Sequence, residues 1–110
     1  MEKQKALAGL AALAQETRLD IFRLLVEAGP AGLAAGDVGA RLGLPGATLS
    51  FHLKELRQAG LITCRRASRS LIYAADFAAM GGLVAYLTEK CCGGRCAAPT
   101  REPSCLETLS

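Results

Sequence analysis

The sequence predicts a mainly α-helical domain that carries one β-hairpin in its second half. Three observations lead there. Apolar residues recur at helical spacing through the first half, short breaks, the first the polar Gln15-Glu16-Thr17-Arg18 and the later ones glycine-containing, divide that half into four helices, and after Gly60 the period becomes alternating before it returns to helical at Phe77.

Leu7, Leu10, Ala11 and Ala14 place a first helix at about 2–14. Leu19, Phe22, Leu25 and Val26 place a second at about 16–28, ended by Gly29-Pro30-Ala31-Gly32. A short helix over 35–42 turns Val38 and Leu42 inward and stops at Gly43-Leu44-Pro45-Gly46. The fourth, over 47–59, is closed by Gly60, the residue type that most easily takes the left-handed conformation after a helix end. Leu61-Ile62-Thr63-Cys64-Arg65-Arg66 and Ser70-Leu71-Ile72-Tyr73-Ala74 then alternate like paired strands around Ala67-Ser68-Arg69. A last helix carries Phe77, Met80, Leu83, Val84 and Leu87 to about Cys92, where Gly93-Gly94 ends it. The expected organisation is therefore a domain over 1–92 and a loose tail over 93–110.

A chain of 110 residues can bury a single core without staples. Its apolar stretches, such as 7–14, fall short of the roughly 20 residues that span a bilayer, and no secretory cleavage pattern follows the N-terminus. These features predict a soluble cytoplasmic protein without a membrane partner. The five cysteines are odd in number and crowded at one end, a poor disulfide framework, so free thiols are expected. Charge is uneven: residues 1–33 carry four basic and four acidic groups, 34–75 six against two, and 76–110 three against four. Local basic excess suits a phosphate-backbone partner, although a solvated surface has the same composition.

Helix, helix, short helix, turn, helix, hairpin, helix (α-α-α-α-β-β-α) is the order of a winged helix-turn-helix. On a wheel of the fourth helix Leu49, Leu53 and Leu56 form the inward stripe, and Ser50, Lys54, Arg57 and Gln58 project away. In the major groove of double-stranded DNA, Arg57 and Gln58 could read base edges while Ser50 and Lys54 bond phosphates. Phe51 also faces outward, either toward thymine methyl groups or against the hairpin, and His52 sits at the edge of the buried stripe. Arg65, Arg66 and Arg69 in the hairpin are expected to hold the backbone or enter the minor groove, with plain solvent exposure as the alternative.

Glu16-Thr17-Arg18-Leu19, Ser50-Phe51-His52-Leu53 and Leu56-Arg57-Gln58-Ala59-Gly60-Leu61-Ile62, in that order, resemble the ArsR/SmtB family of metal-responsive bacterial repressors over about residues 5–92. The resemblance implies DNA-facing roles for Ser50 and His52 and a homodimeric repressor on a near-palindromic operator. Dimer contacts are expected from the apolar faces of the first and last helices (Leu7, Leu10, Ala14; Met80, Leu83, Leu87). No Cys-His pair or other catalytic set is visible, so no enzyme is expected.

The best-known arsenic sensors of the family carry Glu-Leu-Cys-Val-Cys-Asp-Leu at the start of the third helix, where this chain has Ala34 and Gly36 in place of the cysteines. The last helix also lacks the paired Asp and His ligands of the zinc sensors. The remaining candidate is Cys91-Cys92-Gly93-Gly94-Arg95-Cys96, in which the glycines allow a reversal that brings three thiolates around one soft ion. Three sulfurs without histidine favour As(III), with Sb(III) or methylated As(III) as relatives, and no permanent cofactor is expected. Cys105 is either a fourth ligand or a spectator. Cd, Zn or Pb sensing, or a thiol-redox switch at the same cysteines, are the alternatives. A thiol-based metal chaperone would not need the basic hairpin, and a DNA-architectural protein would not need the cysteines. Cys64 reads as a small buried apolar residue.

Overall fold

The computed structural model describes residues 1–90 of the chain. These form α1 (Lys3–Leu13), α2 (Glu16–Ala28), β1 (Leu33–Ala34), α3 (Ala35–Leu42), α4 (Gly46–Gln58), β2 (Ile62–Ala67), β3 (Ser70–Ala75) and α5 (Phe77–Thr88). The expected helices and hairpin are present in the expected order, as a winged helix-turn-helix. One element was not anticipated. The two-residue β1 pairs antiparallel with β3 (Leu33 opposite Tyr73, Ala34 opposite Ile72), giving a three-stranded sheet of order β1-β3-β2.

Gly32 makes that addition feasible. Its φ is 74°, and a Cβ built there would lie 2.3 Å from the Tyr73 carbonyl oxygen, so only a residue without a side chain lets the segment approach β3 this closely. The hairpin pairs Ile62 with Ala75 through to Ala67 with Ser70, leaving a two-residue turn at Ser68-Arg69 with Ser68 at φ 56°. Leu61, expected to open the strand, precedes it. Its N–H donates to the Leu56 carbonyl (3.1 Å) and its own carbonyl accepts from Asp76 N–H (2.8 Å), which ties the end of α4 to the start of α5.

The core joins α2, α3, α4 and the sheet around Ile21, Leu25, Val38, Leu56 and Leu61, each at most 2% exposed. Leu19, expected inward, is exposed, and Ile21 is buried in its stead. The helical repeat fits either residue; the packing of α2 against α4 and β3 selects the Ile21-Phe22-Leu25 face. In α1 the small residues Ala6, Gly9 and Ala12 are buried, while Leu7 and Leu10 face out. Of the apolar face expected on α5, Leu83 is buried in the protomer and Met80 packs against its core, whereas Val84 and Leu87 are exposed.

Two side chains cap the helices. Gln15 Oε1 accepts from Arg18 N–H (2.8 Å) at the start of α2, and Asp76 Oδ1 accepts from Ala79 N–H (3.0 Å) at the start of α5. The last helix spans its apolar pattern from Phe77 to Leu87. It stops at Thr88, followed by extended Glu89 and by Lys90 at φ 61°; Cys91 and Cys92, expected at its end, lie outside the described residues.

Candidate nucleic-acid interface

The site is built on α4. Leu49, Leu53 and Leu56 anchor one side of the helix in the core, and Gly39 of α3 brings that helix close to Leu49. The anchoring fixes the opposite face outward: Ser50, Phe51, Lys54, Arg57 and Gln58 are all exposed. Ser50, Lys54, Arg57 and Gln58 line one cleft of about 340 Å³, with Tyr73 of β3 at its base. Two cations, an amide and a hydroxyl thus converge where α4 meets the sheet, a donor set suited to phosphate oxygens and base-edge acceptors.

Tyr73 is buried opposite Cys64 on β2. Burial and a hydrogen bond with the Cys64 side chain push its phenol pKa up, partly offset by the Arg57 cation. It therefore stays neutral, as a donor or acceptor behind the cleft. Cys64 itself is half-buried and packed against the core, close to the small apolar residue expected.

His52 is placed differently from the outward set. It is 8% exposed, and its Nδ1 lies 3.3 Å from Nη1 of Arg18. Arg18 in turn donates from Nε to the Ala12 carbonyl (2.7 Å). Since guanidinium can only donate, Nδ1 must accept, and the imidazole is neutral with its proton on Nε2. Burial lowers the His52 pKa below 6.5, Arg18 lowers it further, and Glu55 opposes them weakly. The side chain thus braces α4 against the α1–α2 junction instead of standing on the outward face. Arg18 lies within the Glu16-Thr17-Arg18-Leu19 motif, but no periodicity signals a partner 34 residues away.

The hairpin arginines divide in the same way. Arg65 donates from Nη2 to the Ala31 carbonyl (2.8 Å), fastening β2 to the turn after α2. Arg66 and Arg69 are exposed toward the tip. Cys91, Cys92, Cys96 and Cys105 lie outside the described residues. Among the described residues no three His, Cys, Asp or Glu side chains come together as a metal site, and no helix is long and apolar enough to cross a membrane.

Fold and surface together define a winged helix-turn-helix protein with a basic outward helix. A helix-turn-helix domain family matches residues 13–65. The chain is 42% identical over 59 residues to the uncharacterized HTH-type transcriptional regulator YceK of Bacillus subtilis, covering 54% of this chain and 58% of YceK. It is 37% identical over 75 residues to the transcriptional activator HlyU of Vibrio cholerae, covering 66% and 67% of the two chains. The match thus spans somewhat over half of the first relative's length and about two thirds of the second's. The solved structure of Vibrio cholerae HlyU superposes with a TM-score of 0.62 at 35% identity, over 79% of this chain and 97% of that one. A homodimeric winged helix-turn-helix DNA-binding domain from Mycobacterium bovis, Mb0332, gives 0.63 at 26% identity, over 79% and 81%. The chain belongs to the ArsR/SmtB-type winged-helix regulators, whose members matched here are transcriptional regulators and not enzymes.

Proposed function

We infer that the protein is a cytoplasmic transcriptional regulator that binds operator DNA as a homodimer and releases it when As(III) binds cysteine thiolates near its C-terminus. The observation that carries the DNA-binding part is the convergence of Ser50, Lys54, Arg57 and Gln58 on one cleft of an outward helix, beside the arginine-bearing hairpin. The dimer reading rests on the exposed apolar residues Leu7, Leu10, Val84 and Leu87 of α1 and α5 and on the homodimeric state of Mb0332. In such a dimer the two α4 helices would stand about 34 Å apart, one turn of B-DNA.

Effector choice rests on the sequence. Cys91, Cys92 and Cys96, with Cys105 as candidate fourth ligand, supply the three sulfurs that As(III) or Sb(III) takes, and Ala34 and Gly36 replace the other arsenic-site cysteines of the family. A thiol-redox switch at the same cysteines is the second reading, favoured by the existence of a distinct reduced form of HlyU among similar structures, at 28% identity and a TM-score of 0.60. Fluorescence anisotropy of the full chain on DNA from upstream of its own gene, with reductant present, tests both. As(III) should release the DNA, and the triple variant Cys91→Ser, Cys92→Ser, Cys96→Ser should not respond. Release by that variant would overturn the site. Release by oxidant but not by As(III) would select the redox reading.

A further inference from the structure

The outward face of α4 is chemically divided along its length. Its N-terminal half exposes Ala47, Thr48, Ser50 and Phe51, with Phe51 at 55% and no charge, whereas the cations and the amide (Lys54, Arg57, Gln58) follow in the C-terminal half. At about 100° per residue, Ala47, Phe51 and Gln58 fall within about 40° of one another on the wheel, close to diametrically opposite the buried Leu49-Leu53-Leu56 stripe. Phe51 thus occupies the middle of the surface that would enter a groove. More than half of its surface is open to solvent.

We propose that Phe51, flanked by Ala47 and Thr48, is a base-reading residue that seats the 5-methyl group of thymine in the major groove. The inference rests on the DNA-binding reading above and adds to it what one part of the operator must contain. A phenyl ring neither donates nor accepts a conventional hydrogen bond, so the thymine methyl is the base-edge feature it can reward; alanine and the threonine methyl reward the same group. The ring has one aromatic neighbour. It meets the His52 imidazole edge-on at 5.2 Å between centroids and 62° between planes, and His52 is held by Arg18 at 3.3 Å. The occupant is DNA and not an apolar protein surface because Lys54 and Arg57 follow on the same helix, and exposed Arg66 and Arg69 on the hairpin add charge complementary to phosphate.

The test begins with selection of bound sequences from a random duplex library by the full-length wild type. In the selected site each thymine is then replaced singly by deoxyuridine, which removes the methyl and nothing else. Wild type should lose about fourfold in affinity at one or two thymines of each half-site, the value of burying one methyl group. Phe51→Ala should bind more weakly but show no deoxyuridine penalty at those positions, and Phe51→Leu should retain part of it. Circular dichroism confirms that the variants fold, as expected for an exposed position. A wild type that selects a sequence yet tolerates deoxyuridine everywhere overturns the assignment, as does an undiminished penalty in Phe51→Ala. A wild type that selects no sequence overturns the DNA-binding reading itself.

Discussion

Arg18 and His52 meet across 34 residues of sequence, with the guanidinium Nη1 3.3 Å from the imidazole Nδ1. Because the same guanidinium holds the Ala12 carbonyl at 2.7 Å, one side chain joins the end of α1, the start of α2 and the middle of α4. The helix proposed to read DNA is thereby tied to the helix proposed to form the dimer.

Arg18→Ala is expected to leave the Ala12 carbonyl and His52 Nδ1 without their donor. Losing hydrogen bonds of this kind at a part-buried site costs about 1–3 kcal/mol, read as a Tm several degrees lower by calorimetry. The His52 pKa should rise in the variant, since one of the two influences depressing it is gone; an NMR titration of the imidazole reads this directly.

The same pair sets a pH dependence. His52 titrates below 6.5 when folded and near that value when unfolded, so the unfolded chain takes up the proton first as pH falls. Its contribution is therefore fully present above about pH 6.5 and is lost progressively below it. Denaturant melts between pH 7.5 and 5 should show this loss in the wild type, with a shallower slope in His52→Gln.

Gly32→Ala should destabilise the protein strongly, because a Cβ there meets the Tyr73 carbonyl at 2.3 Å and φ is left-handed. Gly36→Ala is the control. It lies in α3 with nothing within 4 Å of the added Cβ, so the substitution should stabilise by about 0.5–1 kcal/mol. Equal midpoints for the two variants in urea would contradict the packing described for β1.

Arg57→Ala should weaken operator binding at fixed salt. Lys54→Ala, if Lys54 meets a phosphate, should lower affinity evenly across sequences and reduce the salt slope by about one. Both are exposed, so folding should be unaffected, and an unchanged anisotropy titration would remove the residue from the interface.

Much of the fold was legible in the chain. The Leu49-Leu53-Leu56 stripe, the glycine at position 60 and the change of period after it are local signals, and each marks its element within a residue or two. The outward set Ser50, Lys54, Arg57 and Gln58 followed from the same wheel. What failed was non-local. A two-residue strand has no period to read, and Leu19 and Ile21 compete for one inward face until a neighbour chooses.

By itself, the sequence determined which residues form helices and strands, which face of α4 is apolar, and that thiols cluster at the C-terminal end, because spacing and residue chemistry are properties of neighbours in the chain. Tertiary structure decided the partners. It buried His52 and paired it with Arg18, fastened Arg65 to Ala31, and left Phe51 exposed. The two pairings join segments more than 30 residues apart, which no local pattern encodes.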